Sequence, residues 1–416
     1  MQILRVLNST TNRNVATLVG ATALAQVIQL LATPVLTRIY SPVFFAPYQV
    51  FASLASVLAV VATLRYEMAI VIAENEDRAR LLVSMAAGIA TLIALSSGVG
   101  LLVASASGWL DAGWIFIAGI PAYVLAAGLQ QSGNNWSIRK GTFHRNVLAR
   151  ISGALTQASA GLILGGFGFL SFGLILSMIA AQCVAAGVLI RNAIDSPRRW
   201  FTTLRSPEGR TLLREHNKFP RFNTPHALLD VLQDHGIVFL FGIFFPGSLL
   251  AFYGQAFRLL IAPVGFVGSA IHQVFFPDFT RRWQAGDDLR PVVRKFYVTL
   301  FFLGLPFFGT LAWFSVPVFT WFLGDEWSGV GNVAAILMPW LFLNFIASPL
   351  SSLPIIASRQ GTAVMLASLE FILRCVGVAL AGFAGNSQLA LICLSSIGCA
   401  FTLINMVWYL RLARKS

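Results

Sequence analysis

Charged residues are scarce in this chain. Only 11% of its 416 residues are Asp, Glu, Lys or Arg, whereas 57% are hydrophobic. Stretches of about 20 apolar residues, the length that crosses the hydrocarbon core of a bilayer, repeat along the chain with almost no Lys or Arg. This composition excludes a water-soluble globular protein, because too few polar groups are present to cover its surface. We therefore predict an all-α, polytopic membrane protein.

Several chemical signatures are also missing from the sequence. There is no G-x-x-x-x-G-K-[ST] phosphate loop, so ATP hydrolysis by this chain is not expected. A His-Glu metal motif, a Gly-x-Ser-x-Gly turn and a Cys-x-x-Cys pair are absent as well. All four cysteines fall inside apolar stretches, where they act as small buried residues rather than as a disulfide framework. We expect no enzymatic activity, no metal and no cofactor.

The apolar stretches predict about twelve transmembrane helices. The predicted spans cover residues 15–37, 44–64, 81–105, 113–134, 147–165, 168–190, 224–246, 249–275, 296–316, 332–353, 361–383 and 387–409. If the N-terminus is cytoplasmic, all of the 29 Lys and Arg except Arg38, Arg258 and Arg374 fall in cytoplasmic segments. We therefore predict that both termini are cytoplasmic. The net charge of +13 then reflects topology and contact with anionic lipid, and no nucleic-acid binding is expected.

The longest polar segment divides the chain into two halves. We predict an N-terminal six-helix bundle over 1–195, a basic cytoplasmic linker over 196–222 and a C-terminal six-helix bundle over 223–416. A faint repeat supports this division, since residues 41–48 read SPVFFAPY and residues 246–253 read PGSLLAFY. A chance match in apolar sequence is the alternative. Two bundles of the same sense would enclose a site between them and suit alternating access.

Four segments resemble a known family. QVIQLLATPVLTRIYSP at 26–42 and RYEMAI at 65–70 look like the opening of Wzx-type polysaccharide flippases of the oligosaccharidyl-lipid/polysaccharide exporter group. FPRF at 219–222 and the segment AFYGQAFRLLIAP at 251–263 look like that family's second half. Span count, loop lengths and charge placement agree with the family over the whole chain.

The resemblance implies a function. Members of this family are flippases that move undecaprenyl-pyrophosphate-linked oligosaccharide units across the bacterial inner membrane, for lipopolysaccharide O-antigen, capsule or exopolysaccharide synthesis. The implied partners are this lipid-linked oligosaccharide, membrane lipids, and the polysaccharide polymerase and chain-length proteins. Two alternatives stay open. A drug or cation antiporter of the same superfamily would bind cations at its intramembrane acids, and a membrane polysaccharide polymerase would need a larger outer loop than the segment 316–331.

Acidic residues within the spans are candidates for ion coupling, because charge in hydrocarbon is costly and usually functional. His226, Asp230 and Asp234 follow at four-residue spacing in span 7, which places them on one helical face. Two carboxylates one turn apart in a low dielectric favour sharing a proton. The alternative is that Asp230 or Asp234 pairs with a basic group or caps a helix break.

Arg258 is the leading candidate for substrate binding. It lies near the predicted midplane of span 8, and the planar guanidinium fork suits a pyrophosphate. A salt bridge to Asp230 or Asp234 is the alternative. Nearer the cytoplasmic end of the same span, Gln273 is a further substrate candidate and His272 a gating candidate, with a structural role as its alternative.

Four more charged residues complete the candidate site. Glu370 and Arg374 are spaced for an intrahelical ion pair, or for ion coupling and substrate binding in a cavity. Arg38, at the outer end of span 1, is an exit contact for phosphate or a snorkelling side chain. Through the resemblance alone, Arg65 is a substrate contact and Glu67 a gate.

The candidate charges do not balance in favour of an anion. Asp230, Asp234 and Glu370 against Arg258 and Arg374 give a formal charge of minus one. Binding of a pyrophosphate then requires either that one of the acids is protonated or that the charged groups face different spaces. This requirement motivates the hypothesis of coupling to an ion gradient.

Most tryptophans fall near predicted span ends. Interfacial anchoring explains this placement without any functional role. The positions concerned are Trp109, Trp114, Trp136, Trp200, Trp283, Trp321, Trp327 and Trp408.

Overall fold

The computed structural model describes residues 10–108, 113–191, 193 and 198–414, and this part of the chain is helical with no β-strand. Its helices of eight or more residues are α1 (Thr10–Ile39), α2 (Pro42–Val61), α3 (Glu76–Ala106), α4 (Trp114–Arg139), α5 (Phe143–Gly166), α6 (Gly173–Ile190), α7 (Arg198–Arg205), α8 (Pro207–Glu215), α9 (Thr224–Phe244), α10 (Gly247–Ala285), α11 (Arg290–Trp313), α12 (Ser315–Leu323), α13 (Ser328–Ala347), α14 (Gln360–Phe383) and α15 (Ser387–Leu412).

The all-α membrane fold predicted from the sequence is confirmed. Within the described residues, ten helices are long and apolar enough to cross a membrane, or eleven if the bent helix α9 counts as one span. The bend in α9 is 49° and separates Phe219–Gln233 from His235–Phe244. Predicted span 8 lies on the 39-residue helix α10.

Helix packing divides the chain into two compact units. The N-terminal unit comprises Met1–Tyr40 and Pro47–His235. In it α5 packs on α6 and α1, and α4 packs on α3 and α6. The α3 and α4 backbones approach closely at Gly128, where a Cβ would lie 2.4 Å from the Cβ of Ala90. A larger residue at this position would force the two helices apart.

The basic segment after α6 packs on the N-terminal unit. Its short helices α7 and α8 are amphipathic, and Ser206 caps α8 by accepting a hydrogen bond from the backbone N–H of Gly209 at 3.0 Å. Leu212 is buried in an apolar cluster with Tyr66, and Arg78 pairs with Glu215 at 2.9 Å. The boundary between the two compact units falls within α9, and the domain limits at 195 and 223 stay a prediction.

The C-terminal unit comprises Ser41–Ala46 and Gly236–Ser416. Helix α13 lies at its centre, in contact with α10, α11, α12 and α15, while α14 packs on α15. The segment 316–331, predicted as an outer loop, is mostly helical, since it contains most of α12 and the 3-10 turn Asp325–Trp327.

Two tryptophans predicted as interfacial anchors are buried instead. Trp327 is 0% exposed and meets Phe45 edge-on at 4.8 Å and Phe252 at 6.2 Å between ring centroids. Trp136 is also buried, at 5% exposure, whereas Trp321 is exposed as an anchor requires. The prediction was wrong for Trp327 and Trp136 because closeness to a span end does not reveal which helix face packs against protein.

Candidate functional site: ionisable residues within the two units

Arg374 and Glu370 form an ion pair on α14. The Arg374 Nη2 donates to the Glu370 Oε1, and the side chains are only 11% and 16% exposed. The i to i+4 spacing with the acid on the N-terminal side makes this pairing favourable within one helix. The two charges therefore neutralise each other locally.

Trp340 of α13 links this pair to α10. The Arg374 guanidinium carbon lies 4.1 Å from the Trp340 ring centroid, a cation–π contact. Phe257 of α10 stacks on the same indole at 5.8 Å, and Gly398 of α15 leaves room for it, since a Cβ there would lie 2.6 Å from the ring. Trp340 is not among the residues predicted from the sequence, although its position in the middle of a span rather than at an end distinguishes it from the tryptophans near span ends.

Arg258 follows Phe257 on α10 and is half-buried. One turn earlier, Gln255 is 1% exposed, and neither its amide nitrogen nor its amide oxygen has a hydrogen-bond partner in the described part of the chain. Buried amides without partners are costly, so this stretch of α10 combines a cation with unused hydrogen-bonding capacity. Gln255 was also missed, and its signal was a polar residue three positions before Arg258 in an apolar helix.

On α9, His226 and Asp230 pair with each other. The His226 Nδ1 lies 3.1 Å from the Asp230 Oδ2, and both side chains are more than half exposed. The structure thus places a basic partner for Asp230 within its own helix. The side chains of Asp234, His272 and Gln273 lie outside the described residues, so their proposed roles stay predictions.

Glu67 is buried at the turn after α2. It is 2% exposed in the 3-10 turn Tyr66–Met68, accepts a short hydrogen bond from the Thr63 hydroxyl and lies 3.7 Å from the Arg65 Nη1. Leu64 and Arg65 have φ of 49° and 63°, in the left-handed region. Such non-glycine residues cost about 1 to 3 kcal/mol each and persist only where surrounding contacts fix them.

Burial raises the pKa of Glu67, while the Thr63 hydrogen bond and the Arg65 charge act in the opposite direction. Because its pKa is higher in the folded than in the unfolded protein, this carboxyl adds most stability below the unfolded pKa and loses it as pH rises through the folded pKa. Glu67→Gln removes this titration. We expect the stability of the variant relative to wild type to increase with pH, by up to about 1.4 kcal/mol per pH unit between the two pKa values.

The measurement is thermal unfolding in detergent between pH 4 and pH 8. Glu74→Gln is the matched control, because the Glu74 side chain is 74% exposed. A Glu67→Gln advantage that shrinks with rising pH would contradict the assignment.

Arg38 lies at the last turn of α1 and is exposed. Its Nη1 donates to the backbone oxygen of Pro34 at 2.8 Å. The helix dipole favours a cation near the C-terminal carbonyl groups of a helix. Arg38 can therefore have a purely structural role. Its role as an exit contact stays a prediction.

In the described residues no group of three or more His, Cys, Asp or Glu side chains is placed to hold a metal ion. Of the five charges counted above for an anion site, Glu370 and Arg374 pair with each other, and Asp230 pairs with His226.

Known proteins match this chain in one family model and in several solved structures. A family model described as "Polysaccharide biosynthesis protein" matches residues 35–331. An inward-facing multidrug resistance MATE family transporter of the MOP superfamily superposes with a TM-score of 0.69 at 14% identity, covering 95% of this chain and 94% of that one. The lipid II flippase MurJ, in an inward closed conformation, gives 0.69 at 12%, covering 94% and 86%.

A MOP superfamily transporter from Pyrococcus furiosus gives a TM-score of 0.59 at 14% identity, covering 99% of this chain and 98% of that chain. A search of curated protein sequences finds no match. At these identities the superpositions establish a shared fold.

Proposed function

Because the chain belongs to the polysaccharide biosynthesis protein family, we propose that it is a flippase for undecaprenyl-pyrophosphate-linked oligosaccharide in the bacterial inner membrane. It is a multi-pass membrane protein with the fold of MOP-superfamily transporters and flippases. The family match carries the proposal. The fold alone suits both a lipid flippase and a drug transporter, since the two superpose equally well.

The physical task explains the charged residues. Sugar hydroxyls and a pyrophosphate cannot cross hydrocarbon unaided, because each unpaired polar group costs several kcal/mol and a free charge costs more. Arg258 is our candidate for the pyrophosphate contact. Arg374 is a weaker one, since Glu370 already neutralises it. The polyprenyl tail would remain in lipid throughout.

We propose that α9 carries the ion-coupling residues. Asp230 and Asp234 lie in the helix that is bent by 49° and in which the boundary between the two units falls. Protonation of one acid would remove the formal negative charge of the candidate substrate site. It would also shift the equilibrium between the cytoplasm-facing and the outward-facing conformations. We propose Glu67 and His272 as gating elements, with Arg65, Gln273 and Arg38 as substrate contacts along the path. Both termini are proposed to be cytoplasmic, and the polymerase and chain-length proteins to be partners.

The test is leaflet exposure of a labelled undecaprenyl-pyrophosphate oligosaccharide in proteoliposomes under an imposed pH gradient. Wild type is expected to translocate it, and Arg258→Ala to slow the initial rate about tenfold or more, because a hydrogen bond to a charged group contributes about 1.5 to 3 kcal/mol. Asp234→Asn is expected to abolish the acceleration of translocation by the pH gradient, while translocation without a gradient remains.

Arg290→Ala is the matched control, since Arg290 pairs with Asp288 in an exposed position and should leave the rate unchanged. No translocation by wild type, together with export of ethidium under the same gradient, would instead identify a cation antiporter of the same fold.

A further inference from the structure

The N-terminal unit contains a polar cavity that the function proposed above does not use. It lies among α4, α5 and α6 and has a volume of about 290 Å³. Its lining includes apolar side chains such as Ala149 and the polar side chains of Gln130, Gln131, Asn134, Asn146 and Arg150. Gln130, Gln131 and Asn134 are half-buried and Asn146 is buried, and burying an amide costs free energy unless it is hydrogen-bonded.

One of these amides has an oxygen without a hydrogen-bond partner in the described part of the chain. Asn146 is 2% exposed, and its Nδ2 donates to the Asn134 Oδ1 at 2.8 Å. Its Oδ1 is buried with no hydrogen-bond partner in the described part of the chain. A buried acceptor in a polar cavity is stabilised only when a donor occupies the cavity.

Neighbouring polar groups are held in place by protein contacts. Gln130 accepts a hydrogen bond from the Gln182 Nε2 at 2.5 Å, and the Gln131 Nε2 donates to the backbone oxygen of Ala59 at 2.9 Å. Arg150 donates to the hydroxyl of Thr22. These contacts preorganise the cavity walls, which lowers the entropic cost of binding a ligand there.

The lining selects the chemical class of the ligand. Among the described residues no carboxylate lines the cavity, and Arg150 is positively charged, so the lining disfavours a metal ion or an amine. A polyanion would prefer more than one cation. Hydroxyl groups both donate and accept hydrogen bonds and therefore suit a set of amides, while apolar lining suits the C–H face of a sugar ring. The cavity volume lies just below the range of typical ligand pockets, which is about 300 to 1,000 Å³.

We propose that this cavity binds a single neutral sugar residue, and that the Asn146 Oδ1 accepts a hydrogen bond from one of its hydroxyl groups. The identification of that sugar as part of the transported oligosaccharide rests on the flippase function proposed above. The cavity would then hold the carbohydrate end of the cargo within the N-terminal unit.

The experiment is photo-crosslinking of the full-length protein in detergent with water-soluble diazirine derivatives of glucose and N-acetylglucosamine, followed by peptide mapping. We expect labelling of peptides that contain residues 130–134 or 146–150, displaced by the corresponding free sugars. Asn146→Leu and Gln130→Met are expected to reduce this labelling about tenfold, the effect of losing about 1.4 kcal/mol. Asn135→Ala is the matched control, because Asn135 neighbours the lining on α4 but donates to the backbone oxygen of Gln131.

Labelling that is spread over other helices, or that neither variant reduces, would overturn the proposal. Displacement by inorganic pyrophosphate and not by free sugar would also overturn it, in favour of an anion site at Arg150. The proteoliposome assay separates the two hypotheses. Translocation by wild type without site-specific labelling refutes the sugar cavity alone, whereas labelling without translocation supports the cavity and refutes the flippase function.

Discussion

Replacing Arg374 by alanine is expected to destabilise the C-terminal unit by about 3 to 5 kcal/mol, because Glu370 is left with an unpaired charge at 16% exposure. The substitution also removes the cation–π contact with Trp340 and the packing of the arginine stem. Thermal unfolding in detergent can be followed with a thiol-reactive fluorophore. The chain provides its own reporters, since all four cysteines are free and Cys375 and Cys399 are partly buried.

The double variant Glu370→Leu, Arg374→Met distinguishes a charge effect from a loss of packing. Removing both charges is expected to restore most of the stability, because apolar replacement of a buried ion pair is often neutral. Arg290→Ala, which breaks an exposed pair with Asp288, should have a much smaller effect than Arg374→Ala. Equal destabilisation by the single and the double variant would show that the ion pair is unimportant.

Replacing Trp327 by alanine is expected to cost about 3 to 5 kcal/mol as well, because a fully buried indole leaves a cavity. Its ring contacts Phe45 and Phe252, so the loss affects the start of α2 and the start of α10 together. The neighbouring Gly329 also packs tightly on Phe252, because a Cβ at this position would lie 2.4 Å from the Phe252 ring. The measurement is the unfolding temperature in detergent together with the yield of monodisperse protein.

Trp321→Ala is the control for this substitution. Trp321 is 78% exposed, and its truncation should change stability little. Trp327→Phe is expected to fall between wild type and Trp327→Ala, because a phenyl ring refills part of the cavity. If Trp321→Ala and Trp327→Ala destabilise the protein equally, interfacial anchoring rather than core packing would explain both residues.

Local spacing predicted part of the candidate site. The Glu370–Arg374 pair follows from positions one turn apart on a helix, and the same argument placed His226 beside Asp230. Contacts that join different helices were not predictable in this way. Trp340 between Arg374 and Phe257 depends on the packing of α10, α13 and α14, for which the sequence carries no periodic signal.

The amide-lined cavity shows the same limit. Gln130, Gln131 and Asn134 are visible in the sequence as polar residues near the end of an apolar span, yet a polar run near a span end is ordinary. Their assignment to a binding cavity depends on Asn146, which belongs to another helix and is buried with its amide oxygen unpaired in the described part of the chain. Only the assembled helices reveal that these groups share one space.

The sequence by itself determined that this protein lies in a membrane and that it is helical. Scarce charge and apolar stretches of membrane length leave helices as the economical way to satisfy the backbone in lipid, and this prediction needs no tertiary information. The tertiary structure decided which faces of these helices pack. Hydropathy is uniform around most of them, so the lipid-facing and protein-facing sides of a helix differ in shape rather than in polarity. Shape complementarity depends on both partners and therefore exists only between packed helices. That is why Trp327 and Trp136 are buried despite their positions near span ends.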